Sequence, residues 1–334
     1  IDMYCKCGSV VDARKVFDDL SDRNEVTWNV IIAGYAENGD LTLALELFYE
    51  MQDKGMSTTK VSLLYVLRAC GNMENFGQGL LVHALLIESG LETDVVVGSS
   101  VMDMYAKCGE LEEAQNIFDG LPNQDIISYC IMTTGYARHG HGHLALGLFA
   151  KMIGLGMKPD KATMSSMLKA CGCVGAILEG RHVHDLILRG GFELDLVVGS
   201  SMIDMYAKLG SMDEAYQVFN TLPQKNMVSW GAILTGYVQH GDVGMALRLL
   251  SRMHQEGLKP SKPMFLCILS SCSSMKSIEH GRQVHAHIAE SEFSLDMPVV
   301  SALVDMYAKC GSLEDAYRLF EGLQIRDSVS WGAM

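Results

Sequence analysis

Between residues 25 and 59, the apolar residues Val26, Val30, Ile31 and Tyr35 fall at helical spacing. The polar run Glu37-Asn38-Gly39-Asp40 interrupts them. Leu41, Ala44, Leu45, Leu47, Phe48 and Met51 then build a second amphipathic face. Gly55 closes that face, where a helix commonly ends on glycine. The segment predicts helix, turn, helix. Two helices of about a dozen residues cannot bury their apolar faces alone, so such pairs must stack on neighbours.

The segment belongs to a series. Asp2-Met3-Tyr4 returns at Asp103-Met104-Tyr105, Asp204-Met205-Tyr206 and Asp305-Met306-Tyr307, 101 residues apart each time. Trp28, Tyr129, Trp230 and Trp331 keep this spacing, as do Cys70, Cys171 and Cys272, and His83, His184 and His285. An unbroken period means that every unit meets the next through one geometry, which is the behaviour of a solenoid. Each period divides into units of 35, 35 and 31 residues: 25–59, 60–94 and 95–125, then 126–160, 161–195 and 196–226, then 227–261, 262–296 and 297–327. A partial unit, 1–24, precedes them and 328–334 opens another. The chain starts and stops inside units, which predicts a piece of a longer protein. A targeting peptide is therefore not expected within it.

Composition narrows the function. Of 334 residues, 49% are hydrophobic, 20% charged and 7% aromatic, enough for a sizeable core and unlike a disordered chain. The net charge of −14 opposes a protein that coats DNA or lies on an anionic membrane, since both need positive fields. It leaves room for a narrow nucleic-acid groove with its own local arrangement. No apolar run approaches the ~18 residues of a membrane helix.

The phrases MDMYAKCGELEEAQNIFDGLP, IDMYAKLGSMDEAYQVFNTLP and VDMYAKCGSLEDAYRLFEGLQ resemble the short (S) motif of plant pentatricopeptide repeat proteins. SWGAILTGYVQHGDVGMALRLLSRM resembles their standard P motif, and SSMLKACGCVGAILEGRHVHDLIL their long (L) motif. The P-L-S order is similar to that of the PLS subclass, and the resemblance covers the whole chain. It implies an all-α, right-handed superhelical solenoid of helix-turn-helix repeats that binds single-stranded RNA, one base per repeat. It further implies site recognition for C-to-U editing in a mitochondrion or plastid. The deaminase would be an appended DYW-type domain or a partner in trans. Multiple organellar RNA-editing factor proteins would dock on the L repeats.

Other chemistry finds little footing. Cys7, Cys108 and Cys310 share a repeat position with Leu209, which marks a packing site. Helical spacing puts Cys70, Cys171 and Cys272 on a buried face. The pairs Cys5/Cys7 and Cys171/Cys173 lack a second pair at zinc spacing, so no metal or cofactor is expected. His139, His141 and His143 read as a solvated inter-helix turn, and His83, His184 and His285 as packing or surface residues. His254-Gln255-Glu256 has the H-x-E form of a zinc deaminase, but the chain holds no C-x-x-C to bind the metal. Nucleotide-binding and nucleophile-elbow motifs are absent, and this stretch is not expected to be an enzyme. Met3, Met104, Met205 and Met306 read mostly as core fillers.

The resemblance implies a two-position code, carried by the fifth and last residues of a unit. The S units pair Ser99 with Asp125, Ser200 with Asn226, and Ser301 with Asp327. A short Ser leaves room for a purine. A carboxylate only accepts, suiting the N–H donors of guanine, whereas an amide donates and accepts, suiting adenine. In the family, Ser with Asp reads G and Ser with Asn reads A. Asn29 with Thr59 resembles a pyrimidine reader. Cys130 with Asp160, and Gly231 with Ser261, depart from the usual polar pair. Ser165 with Asp195 spells G, but in an L unit, and Leu64/Asp94 and Leu266/Asp296 look silent. Val26, Val96, Ile127, Val197 and Val228, at the second position, would sandwich the bases; Pro263 and Pro298 replace them in the last triplet. Ser and Asp also cap helices, so a purely structural role for them stands beside base reading. Two other functions suit the same architecture: a protein-binding scaffold, which the acidic charge favours, and an RNA binder for splicing or stabilisation.

Overall fold

A computed structural model describes residues 1–56, 59–91, 94–322 and 331–332. Asp327 and most of 328–334 lie outside the described residues. Within them the chain forms twenty α-helices and no strand. Their order is α1 (Asp2–Lys6), α2 (Val10–Asp18), α3 (Glu25–Glu37), α4 (Leu41–Asp53), α5 (Lys60–Asn72), α6 (Phe76–Glu88), α7 (Val95–Cys108), α8 (Leu111–Gly120), α9 (Ile126–Arg138) and α10 (Gly142–Gly154). They continue with α11 (Lys161–Val174), α12 (Ile177–Gly190), α13 (Leu196–Lys208), α14 (Met212–Thr221), α15 (Met227–Gln239), α16 (Val243–Gln255), α17 (Lys262–Met275), α18 (Ile278–Ala289), α19 (Met297–Lys309) and α20 (Leu313–Gly322).

The chain divides into two compact units, 1–170 and 171–334. In the first, α1, α3, α5, α7 and α9 form one row, each touching the next, and α2, α4, α6, α8 and α10 back it as the second helices of hairpins. The second unit repeats this scheme with α13, α15, α17 and α19 in front of α14, α16, α18 and α20. The fold is therefore a helical-hairpin solenoid. No helix of the described residues is long and apolar enough to cross a membrane.

Local chemistry sets the helix starts. Asn24, Asp40 and Asp94 accept hydrogen bonds from the first-turn amides of α3, α4 and α7. Thr59 and Ser62 form a reciprocal capping box on α5. Three contacts that recur at the 101-residue period then join particular hairpins to their neighbours. The first is an edge-on aromatic pair: Phe17–Trp28 at 4.8 Å, Phe118–Tyr129 at 5.1 Å, Phe219–Trp230 at 4.7 Å and Phe320–Trp331 at 4.9 Å between centroids. The second is a close approach at glycine. A Cβ on Gly236 would sit 2.7 Å from that of Ala207, so α13 and α15 meet this closely only at glycine, and one on Gly180 would sit 2.3 Å from the Met205 sulfur, which would have to move aside. The third is a His–Tyr hydrogen bond, His83 to Tyr105, His184 to Tyr206 and His285 to Tyr307, at 2.8–2.9 Å between Nδ1 and the phenol oxygen. Burial pushes all three imidazoles below their ordinary pKa, so they rest neutral.

Cys70, Cys171 and Cys272 are fully buried, and burial pushes their thiols up to about 12, 12 and 11, leaving them as small apolar fillers. Met104, Met205 and Met306 are buried, but Met3 is 63% exposed and fills no core. The reading of His139 as a solvated turn residue needs correction. His139 lies 2.9 Å from the Ala106 carbonyl and His240 lies 2.7 Å from that of Ala207, while the Asn38 amide bonds Cys5 in the same way. Each side chain reaches back to a carbonyl at the end of the preceding front helix, where the last turn leaves carbonyls without a full helical partner.

Candidate nucleic-acid interface

The first turn of the front helices is built unlike the rest of the hairpin. Helical spacing groups Val26 with Ile31 and Tyr35, yet Ile31 and Tyr35 are buried and Val26 is exposed. The same holds at the second position of the other front helices: Val26, Val61, Val96 and Ile127 in the first compact unit, and Val197 and Val228 in the second, are 49–66% exposed. Scattered exposed aliphatics are ordinary, whereas here a branched aliphatic recurs at one repeat position and stays in contact with water.

One turn further on stand the fifth-position residues. Ser99 and Ser200 donate their hydroxyls to the carbonyls of Val95 and Leu196, at 2.9 and 2.7 Å. That bond fixes the direction of each hydroxyl proton. Ser99 is half-buried, whereas Ser165, Ser200 and Ser301 are buried, and the Ser165 hydroxyl has no hydrogen-bond partner among the described residues.

The last residue of each segment is the N-cap of the next front helix. Asp125 accepts from the Ser128 amide at 2.9 Å, Asp160 from Thr163 at 2.8 Å, and Asn226 from Ser229 at 2.8 Å. Asp195 accepts from Val197 and Val198, and Ser261 caps α17 without a side-chain bond. The capping role is thus real. It uses one oxygen of each side chain. The second oxygen of Asp125 and the amide nitrogen of Asn226 have no partner among the described residues.

Several sequence pairs meet in space. Thr59 donates to the Asn29 side-chain oxygen at 3.2 Å, and the Ser200 hydroxyl lies 3.5 Å from that of Asn226. Burial pushes the Cys130 thiol pKa up. Ser99 and Asp125 share an open groove of about 510 Å³, walled by Val96 and Ile127 and edged by Tyr65 and Arg68. A neighbouring groove of about 270 Å³ holds Cys130 and Asp160 with Lys107 and Arg138. No contact joins Gly231 to Ser261. Ser165 and Asp195 fall in different compact units, and Asp327 lies outside the described residues.

Two sets of charges went unread in the sequence. Lys6, Lys107, Lys208 and Lys309 each pair with an aspartate one turn earlier, Asp2, Asp103, Asp204 and Asp305, at 2.6–2.8 Å. Their recurrence at the 101-residue period was the available signal. Lys60 and Lys262 pair with Asp94 and Asp296 at 2.5 and 3.0 Å, across 34 residues. Among the described residues, no three His, Cys, Asp or Glu side chains gather as a metal site.

Comparison with known proteins places this geometry. The PPR repeat family matches residues 23–72 and 124–173, the PPR repeat matches 1–24 and 99–126, and the pentacotripeptide-repeat region of PRORP matches 193–331. A pentatricopeptide repeat-containing protein of Arabidopsis thaliana is 35% identical over 343 residues, covering 100% of this chain and 46% of the relative. A chloroplastic one from the same plant is 32% identical, with coverage of 99% and 54%. A mitochondrial one is 34% identical, with coverage of 100% and 39%. The chain spans about half the length of the curated relatives it matches. The fold is similar to that of the pentatricopeptide repeat protein PPR10 from maize, at TM-score 0.57 and 16% identity over 99% of this chain and 59% of that one.

Proposed function

The chain belongs to the pentatricopeptide repeat family, and on that premise we propose that it binds single-stranded RNA by sequence, through the first turns of its front helices. The observation that carries this reading is the groove in which the exposed Val96 and Ile127 flank Ser99 and an Asp125 carboxylate with one unpartnered oxygen. Aliphatic walls suit the two faces of a base, and the polar floor suits its edge. A duplex keeps those edges paired, so it fits poorly.

The units 25–59, 60–94 and 95–125, and their successors, act as P, L and S repeats. Ser99/Asp125 selects G, Ser200/Asn226 selects A, and Ser301/Asp327 selects G. With RNA running 5′ to 3′ from N to C, the preferred strand from Glu25 reads pyrimidine, any, G, any, any, A, any, any, G. The relatives named chloroplastic and mitochondrial support an organellar address. The triplet order supports site recognition in C-to-U editing, with deamination by another domain or protein. The test is competition between single-stranded RNA of that pattern, a scrambled strand and the matching duplex. The patterned strand should bind most tightly. Equal affinity for all three contradicts base reading.

A further inference from the structure

The last residues of the hairpins differ in how much of the side chain stays available. Asp125, Asp160 and Asn226 each spend one oxygen on the helix cap. The first residues of the same segments are Val95, Ile126 and Leu196, none of which supplies a polar side chain. Asp94 and Asp296 cap their helices in the same way, Asp94 through Oδ1 to Val96 and Val97 and Asp296 through Oδ1 to Val299. Here the first residue of the segment is a lysine. Lys60 Nζ lies 2.5 Å from Asp94 Oδ2, and Lys262 Nζ lies 3.0 Å from Asp296 Oδ2. Both oxygens of Asp94 are then engaged, Oδ1 by backbone amides and Oδ2 by the ammonium, while the Lys262 ammonium lies 3.0 Å from both oxygens of Asp296. The Lys60 hydrogen bond, followed by those from the helix amides, holds the Asp94 carboxyl below the usual carboxylate range.

We propose that a lysine at the first position of a segment is a specificity-determining residue: Lys60 and Lys262 occupy the terminal carboxylates of their own segments and so prevent Asp94 and Asp296 from reading a base. This deepens the base-reading function and rests on it. A guanine N–H offered to Asp94 must displace a charged donor with a neutral one, which is a losing exchange. An aliphatic first residue imposes no such competition at Asp125. The rule is legible in sequence, since it asks only whether the first residue is cationic when the last is acidic. Lys161 stands at the same repeat position as Lys60 and Lys262.

The test uses two RNAs that differ only at the nucleotide facing 60–94, G or A, with the fifth residue made permissive. The wild-type chain and Leu64→Ser should not distinguish them. Lys60→Met with Leu64→Ser should favour G by about tenfold, the yield of one hydrogen bond to a charged acceptor. Lys60→Arg with Leu64→Ser keeps a cation at Asp94 and should return to no preference. G against A at the next nucleotide, facing Ser99 and Asp125, is read in every protein as a control for folding and for base reading. The proposal fails if Leu64→Ser alone already favours G. It also fails if the Lys60→Met double variant shows no preference while the control position still discriminates. Loss of discrimination at the control position as well, even in the wild-type chain, brings down the base-reading premise and this proposal with it.

Discussion

The seam between hairpins and the first turns in front of it come from the same repeat, yet they are opposite in chemistry. In the seam, Phe219 meets Trp230 edge-on, Gly180 admits the Met205 sulfur and His184 bonds Tyr206, all away from water. On the front turns, Val197 and Val228 stand exposed beside Ser200 and Asn226. Both sets recur at the same period, so periodicity alone does not separate them. Burial does. A position that recurs and is buried explains how hairpins stack, whereas a position that recurs and is exposed plays no part in that stacking.

The contrast predicts effects that fall on different measurements. Trp230→Ala empties the seam at its largest buried side chain and should cost about 3–5 kcal/mol of stability in urea unfolding. A cost below about 0.5 kcal/mol, the range of ordinary surface changes, would mean that the aromatic pair does not hold the stack. Val197→Ser with Val228→Ser should do the reverse. Stability should move by no more than about 0.5 kcal/mol per site. RNA affinity should fall by about 1 kcal/mol or more for the pair, taking the low end of base-stacking contributions. Large destabilisation with unchanged affinity would return these valines to the core.

The smallest effect concerns acid. His83, His184, His285 and His287 have pKa values lowered by burial. Asp185 and Asp315 oppose the shift at His184 and His285, as Glu290 does at His287. The unfolded chain therefore takes up protons first as pH falls. Stability should be level between the ordinary imidazole value of about 6.5 and the ordinary thiol value of about 8.5, and decline below that window. Urea midpoints at pH 7.5 and 5.5 measure this, and His184→Gln should reduce the decline. A midpoint that rises on acidification contradicts neutral imidazoles in the seam.

Much of the seam was legible because apolar recurrence and burial coincide there: Phe and Trp at fixed spacing can hardly do anything but pack. Val26 shows where that logic stops. Hydropathy cannot tell a valine aimed at the core from one in the first turn aimed at solvent, and only the helix orientation separates them. The Lys60–Asp94 pair was invisible for a different reason. Its partners lie at opposite ends of one segment, and a helical period relates only residues within a few turns. His139 reads as a turn residue from its glycine neighbours, but its role depends on a carbonyl 33 residues earlier. Asp125, Asp160 and Asn226 bear out the structural reading weighed for them, since each caps a helix with a side-chain oxygen.

Asn226 caps α15 through its oxygen, and its amide nitrogen has no partner among the described residues, which makes Asn226→Asp the most direct measurement. Asp caps a helix as well as Asn does, so the α15 start and its bond to Ser229 should survive, and any change in binding reports on the base. The substitution replaces an amide donor with an acceptor. Affinity is measured for both proteins on two RNAs that differ only at the sixth nucleotide, A or G. The wild-type chain should favour A and the variant G, each by about 1–3 kcal/mol, the scale of a paired base contact. If the variant keeps the preference for A, or if neither protein distinguishes the two strands, the front turns do not read bases.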